Sequence, residues 1–117
     1  MLSPSLSVFL SYSRDSEKHV DWVTRFANSL EADSAFSVMF DEYDLHAGKD
    51  LTQFMEAGVR CDRVVVVVTS EYVRKSIARS GGVGYESTII SAFLLEEKLR
   101  DRVIPVLREG SERPPHL

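Results

Sequence analysis

Apolar residues along this chain fall in short runs separated by longer polar stretches. Ser7-Val8-Phe9-Leu10-Ser11 is the first run, and its close in small polar residues predicts a buried strand followed by a loop. Asp15 or Ser16 can cap the next element, and Val20, Val23, Phe26, Ala27 and Leu30 then fall on one helical face. Phe36 to Phe40 (FSVMF) reads as a second strand that stops at Asp41, with the polar loop EYDLHAGKD behind it. Asp50 and Gln53 form a capping pair ahead of a helix whose apolar stripe is Leu51, Phe54 and Met55. Val64 to Val68 are all valine. A β-branched run without alternation predicts a strand buried on both faces, as at the centre of a parallel sheet. Residues 69–84 are mixed and end in glycines, and Ile89, Ile90, Phe93 and Leu94 predict a helix from Tyr85 to Arg100. Val103 to Leu107 (VIPVL) is a fourth strand, in which Pro105, lacking an N–H, points to an edge or a bulge.

The order β-α-β-α-β-α-β predicts one α/β domain over residues 1–108, an open parallel sheet with helices on both faces. The flavodoxin-like strand order 2-1-3-4 is expected, with the fifth strand of the common 2-1-3-4-5 form missing. Residues 109–117 then read as a tail or linker toward a further C-terminal part. Ligands of such sheets bind beyond the carboxyl ends of the strands where the order reverses, here between strands one and three. One bordering loop is Ser11-Tyr12-Ser13-Arg14, and the other runs from Thr69 through the glycines to Glu86.

Composition narrows the classes. With 44% hydrophobic and 27% charged residues the chain is globular in type. Its 14 basic and 18 acidic residues give a net charge of −4, which offers no global attraction to nucleic acid or to an anionic membrane. The single cysteine, Cys61, excludes an internal disulfide and a multi-cysteine metal site, and it reads as a small core residue. His19, His46 and His116 lack metal-ligand spacing, so no metal site is expected. No apolar run approaches the roughly 20 residues that span a bilayer, and no signal peptide is legible, so a cytoplasmic location is expected.

SGGVGYES, residues 80–87, holds the sharpest candidate chemistry. It lacks the GK[ST] of a P-loop and the last glycine of a dinucleotide fingerprint. A phosphoacceptor receiver would need an aspartate at the end of strand three, where Thr69 and Ser70 stand. Glycines let backbone approach a ligand closely. Each candidate also has a plainer explanation. A carboxylate such as Glu86 in a helix's first turn gains about 0.3–1 kcal/mol from the helix dipole. Asp41 suits a turn. Tyr12 and Tyr85 suit rim packing, while Arg14, Lys49 and Lys75 suit a solvated surface.

VFLSYS, Asp41 ahead of AGKDL, the valine strand ending in TSEY, and GGVGYE together resemble the TIR/SEFIR superfamily. SYSRDSEKHVDWV and GGVGYE look most like bacterial SEFIR-type and prokaryotic TIR domains, and the likeness covers about residues 7 to 108. It implies homotypic assembly, a fused or co-encoded sensor, antiphage signalling and, as in many bacterial members, cleavage of NAD⁺ as substrate without a bound cofactor. The family's catalytic glutamate, at the start of the helix after strand three, corresponds to Glu86, and the adjacent aromatic to Tyr85. The nucleotide-lining loop corresponds to Ser11, Tyr12, Ser13 and Arg14. The assembly loop corresponds to Glu42–Asp50, with Tyr43, Leu45 and Gly48 as its contact residues. Asp41 and Lys49 complete the expected substrate-binding set. The glycine run stands where many TIR domains carry a tryptophan. Breaking the nicotinamide–ribose bond builds oxocarbenium character that one carboxylate can stabilise. Tyr12 or Tyr85 could stack on a ring, and Arg14 or Lys49 could meet the pyrophosphate. The other implied role is a non-enzymatic adaptor signalling through homotypic contacts.

Overall fold

The computed structural model describes residues 5–44, 50–79 and 87–108. Its frame is a four-stranded parallel sheet in the order β2-β1-β3-β4, built from β1 (Leu6–Ser11), β2 (Phe36–Met39), β3 (Arg63–Val68) and β4 (Val103–Leu107). The helices are α1 (Glu17–Ala32), α2 (Asp41–Asp44), α3 (Leu51–Gly58), α4 (Ser70–Arg79) and α5 (Ala92–Glu97).

Strand periodicity divides the core. Val8, Leu10, Val65 and Val67 face α1, where they meet Val23 and Ala27. Phe9, Val64 and Val66 face the other way, onto Phe54, Met55, Tyr72, Ile89, Ile90 and Leu99. The valine run is therefore buried on both faces, as its lack of alternation predicts. Ser16 is the residue that caps α1, its side chain accepting from the His19 N–H. Asp50 caps α3 by accepting from the Thr52 and Gln53 N–H groups. Trp22 stacks on Phe26 with centroids 5.5 Å apart, half-covering α1, and Cys61 is buried.

Pro105 explains itself on the edge strand. The Val64 N–H donates to Arg102 O and the Arg108 N–H to Val68 O. The even-numbered residues of β4 thus turn their backbone groups toward β3, and Val103, Pro105 and Leu107 turn theirs outward. The missing N–H of Pro105 costs the ladder nothing.

Three helices differ from the expectation, and one of them, α2, begins at Asp41 and takes up the start of the stretch read as a polar loop. The helix predicted from Tyr85 to Arg100 begins only at Ala92, capped by Ser91. Residues 87–91 are non-helical because side chains from β1 and α4 hold their backbone groups. Between β3 and the glycines lies α4, read from sequence only as a mixed stretch. Its buried face is Tyr72 and Ser76, one helical turn apart, and Thr69 Oγ1 accepts from the Tyr72 N–H at 3.1 Å.

Candidate functional site

The strand order reverses between β1 and β3, and the loop leaving β1 enters that crevice. Alternation sends its side chains to opposite faces. Ser11 turns toward α4: its hydroxyl lies 2.7 Å from the Tyr72 hydroxyl and donates to Thr88 O. Tyr12 turns toward α1 and donates from its hydroxyl to Asp41 Oδ1 at 2.8 Å. Ser13 donates to Asp15 Oδ1 at 2.5 Å and lies 3.3 Å from Thr69 Oγ1 at the end of β3. Arg14 donates to Asp41 Oδ2 at 3.0 Å, pairs with Glu42, and has its guanidinium carbon 5.5 Å from the Tyr12 ring centroid.

The electrostatics follow from burial. Tyr12 is 1% exposed, and burial together with the Asp41 carboxylate pushes its phenol well above the usual range. It stays neutral and acts as a donor. Burial likewise pushes Tyr72 up to about 12, with the Ser11 bond opposing. Asp41 is buried, shared between a phenol and a guanidinium. Arg14 and its partner Glu42 reach solvent, their side chains 49% and 42% exposed, and Arg14 is the cation of the group. It borders a groove on the first turns of α1 with Ser16, Glu17, Val20 and Asp21.

Several predicted site residues thus come together, in an unexpected arrangement. Ser11, Tyr12 and Ser13 sit behind the crevice surface with their hydroxyls engaged, and the Tyr12 ring has no open face in this conformation. Asp41 is more than a turn former, because it joins Tyr12 to Arg14. Tyr43, expected on an exposed loop, lies in α2. It is half-buried, edge-on to Phe40 with centroids 5.0 Å apart and bonded to Asn28. Leu45, Gly48, Lys49, Gly82, Gly84, Tyr85 and Glu86 lie outside the described residues.

Thr88 and Tyr72 were missed. Thr88 Oγ1 accepts from the Tyr12 N–H at 3.2 Å and donates to Tyr12 O at 3.0 Å. Tyr72 OH accepts from the Ile90 N–H at 3.1 Å. A polar residue just ahead of two isoleucines was the available signal for Thr88.

Glu71 complicates the glutamate assignment. The helix that directly follows β3 is α4, and its first-turn carboxylate is Glu71. Glu71 pairs with Arg74, lies 3.9 Å from Lys75, and has its carboxyl held low first by the Arg74 bond.

An apolar track leaves the crevice region along α4. Val73 and Ile77, one turn apart, are 44% and 61% exposed. Val73 shares a groove with Leu107, which is 82% exposed, beside Thr69 and Arg108. Among the described residues, no group of His, Cys, Asp and Glu could hold a metal ion, and no helix is long and apolar enough to cross a membrane.

Residues 8–117 match the family described as "TIR domain". Among solved structures the chain is similar to one titled "Crystal Structure of a prokaryotic SEFIR domain". Identity is 35% and the TM-score 0.77, over 93% of this chain and 76% of that one. A search of curated proteins found no match.

Proposed function

Because the chain belongs to the TIR domain family, we propose that it is a signalling domain that works by homotypic assembly. The carrying observation is the contrast between its two surfaces. The polar groups at the end of β1 are satisfied by one another, whereas Leu107, Val73 and Ile77 present apolar area to solvent. Exposed apolar tracks rimmed by charge, here Arg74 and Lys75, suit a protein contact. The assembly loop Glu42–Asp50, with Tyr43, Leu45 and Gly48, would contribute a second contact. A sensor domain or partner protein would set the local concentration, and antiphage defence is the setting that the family likeness supports. Light scattering over a hundredfold dilution tests this. The unmutated chain should gain mass with concentration, while Ile77→Asp and Leu45→Asp stay monomeric at an unchanged melting temperature. A chain that remains monomeric throughout would sink the reading.

A second reading, NAD⁺ cleavage with Glu86 as the catalytic carboxylate, is supported by a different observation. Thr88 and Ile90 are pinned to the end of β1 and to α4, so the chain following Glu86 enters the crevice. The helix-dipole explanation of Glu86 also loses its helix, since α5 starts at Ala92. Arg14 would meet the pyrophosphate, with Lys49 and Tyr85 adding contacts, while Ser11, Tyr12, Ser13 and Asp41 hold Arg14 in place. Glu86 would stabilise the ribosyl cation as neutral nicotinamide leaves. Glu86→Gln should abolish NAD⁺ loss, and Glu71→Gln should leave it within about twofold, since Glu71 is an exposed surface pair. The reverse ranking would move the assignment to α4.

A further inference from the structure

We infer that Thr88 is a positioning residue that locks the loop after β1 to the segment ahead of α5. The inference rests on the enzymatic reading of the crevice. Thr88 is 1% exposed, and its single hydroxyl serves both backbone groups of Tyr12. It takes the Tyr12 N–H and gives its own proton to Tyr12 O, as a neighbouring strand's backbone would. The Thr88 carbonyl accepts from Ser11 Oγ, so side chain and backbone of one residue grip two successive residues of the β1 loop. Ile90 extends the grip to α4: its N–H donates to Tyr72 OH, and its carbonyl accepts from Ser76 Oγ at 2.6 Å.

The consequence is a fixed spacing between the loop after β1 and the segment ahead of α5. Tyr12 leads directly into Arg14, which Asp41 holds as the cation facing the groove. Thr88 follows Glu86 by two peptide units. Clamping Tyr12 to Thr88 therefore fixes the loop that carries the anion-binding arginine against the segment that leads into α5, the segment that on the enzymatic reading follows the catalytic carboxylate in sequence. Hydrogen bonds between elements fix such spacing better than apolar packing, because they specify direction as well as distance. A misplacement of about 1 Å in a reacting group can cost on the order of a hundredfold in rate.

Thr88→Val keeps shape and β-branching but removes the hydroxyl. It should lower kcat for NAD⁺ cleavage by about tenfold or more, with the Kd for NAD⁺ within about twofold, because Arg14 and Asp41 are untouched. Amide exchange at Tyr12 should accelerate. Thr88→Ser retains the hydroxyl and should recover at least about half of kcat, which a merely space-filling threonine would not require. Should Thr88→Val fail to fold, Ser11→Ala cuts only the grip on the Thr88 carbonyl and should lower kcat in the same direction. Glu86→Gln is the control. If it cleaves NAD⁺ normally, the enzymatic reading fails. If it is inactive while a folded Thr88→Val turns over at the unmutated rate, or keeps its Tyr12 amide protection, the positioning role alone is overturned.

Discussion

Arg108 donates to Nδ1 of His19 across 3.2 Å. A guanidinium has no acceptor, so this bond fixes the imidazole as the tautomer carrying its proton on Nε2. His19 is fully buried, and its Nε2 has no hydrogen-bond partner among the described residues. Arg108 in turn lies 4.8 Å from the centroid of the Trp22 ring, tying the end of β4 to α1.

That geometry sets a pH dependence. Burial first, and the Arg108 charge second, push the His19 pKa below its ordinary value, with Asp15 opposing. The unfolded chain then binds a proton that the folded chain refuses. Stability from this group is fully present above about pH 6.5, the ordinary histidine value, and declines as pH falls below it toward the depressed folded value. Thermal melts between pH 8 and pH 5 should show it. His19→Asn, which can keep an acceptor near the Nδ1 position, should flatten the part of the decline nearest pH 6. An unchanged slope in that variant would assign the decline to other groups.

Tyr12→Phe should destabilise the fold by about 1–2 kcal/mol, because it removes one of the two partners of buried Asp41. Arg14→Ala removes the other partner, yet its side chain is half exposed, so less than about 1 kcal/mol is expected. Urea unfolding of the two variants gives the ranking, and a larger loss for Arg14→Ala would reverse the picture of which bond holds Asp41.

Gly58 ends α3 directly against Phe9, and a Cβ placed there would meet the Phe9 ring at 2.5 Å. Phe9 is fully buried and edge-on to Phe54, with centroids 5.6 Å apart, so the ring has little room to yield. Gly58→Ala should therefore cost about 1–3 kcal/mol despite alanine's better helix propensity. A neutral or raised melting temperature would show that α3 can shift away from β1 without loss.

Local patterns announced the sheet and its order. The apolar run of β1, the unbroken valines of β3 and the proline of β4 each act through immediate neighbours, which sequence displays. The clamp did not announce itself. Thr88 meets Tyr12 across 76 residues of chain, and Arg108 meets His19 across 89. Periodicity carries no information about such pairs. The late start of α5 has the same origin: Thr88 to Ile90 read as helical by composition, and bonds from Ser11, Tyr72 and Ser76 override that local preference. The depth of Ser11 and Tyr12 was also illegible, since a loop after a strand reads as surface.

The outward row of β4 bears on solubility. A bare parallel edge invites stacking of sheets end on end into fibrils. Here the row runs Val103, Pro105, Leu107, so the central position offers a carbonyl but no donor. An incoming strand that spans the row would leave one of its own carbonyls unsatisfied there, a cost of about 1–3 kcal/mol if water is shut out. A segment that joins β4 at one end, engaging Leu107 alone, escapes that penalty. Pro105 thus disfavours a full-length incoming strand along that row.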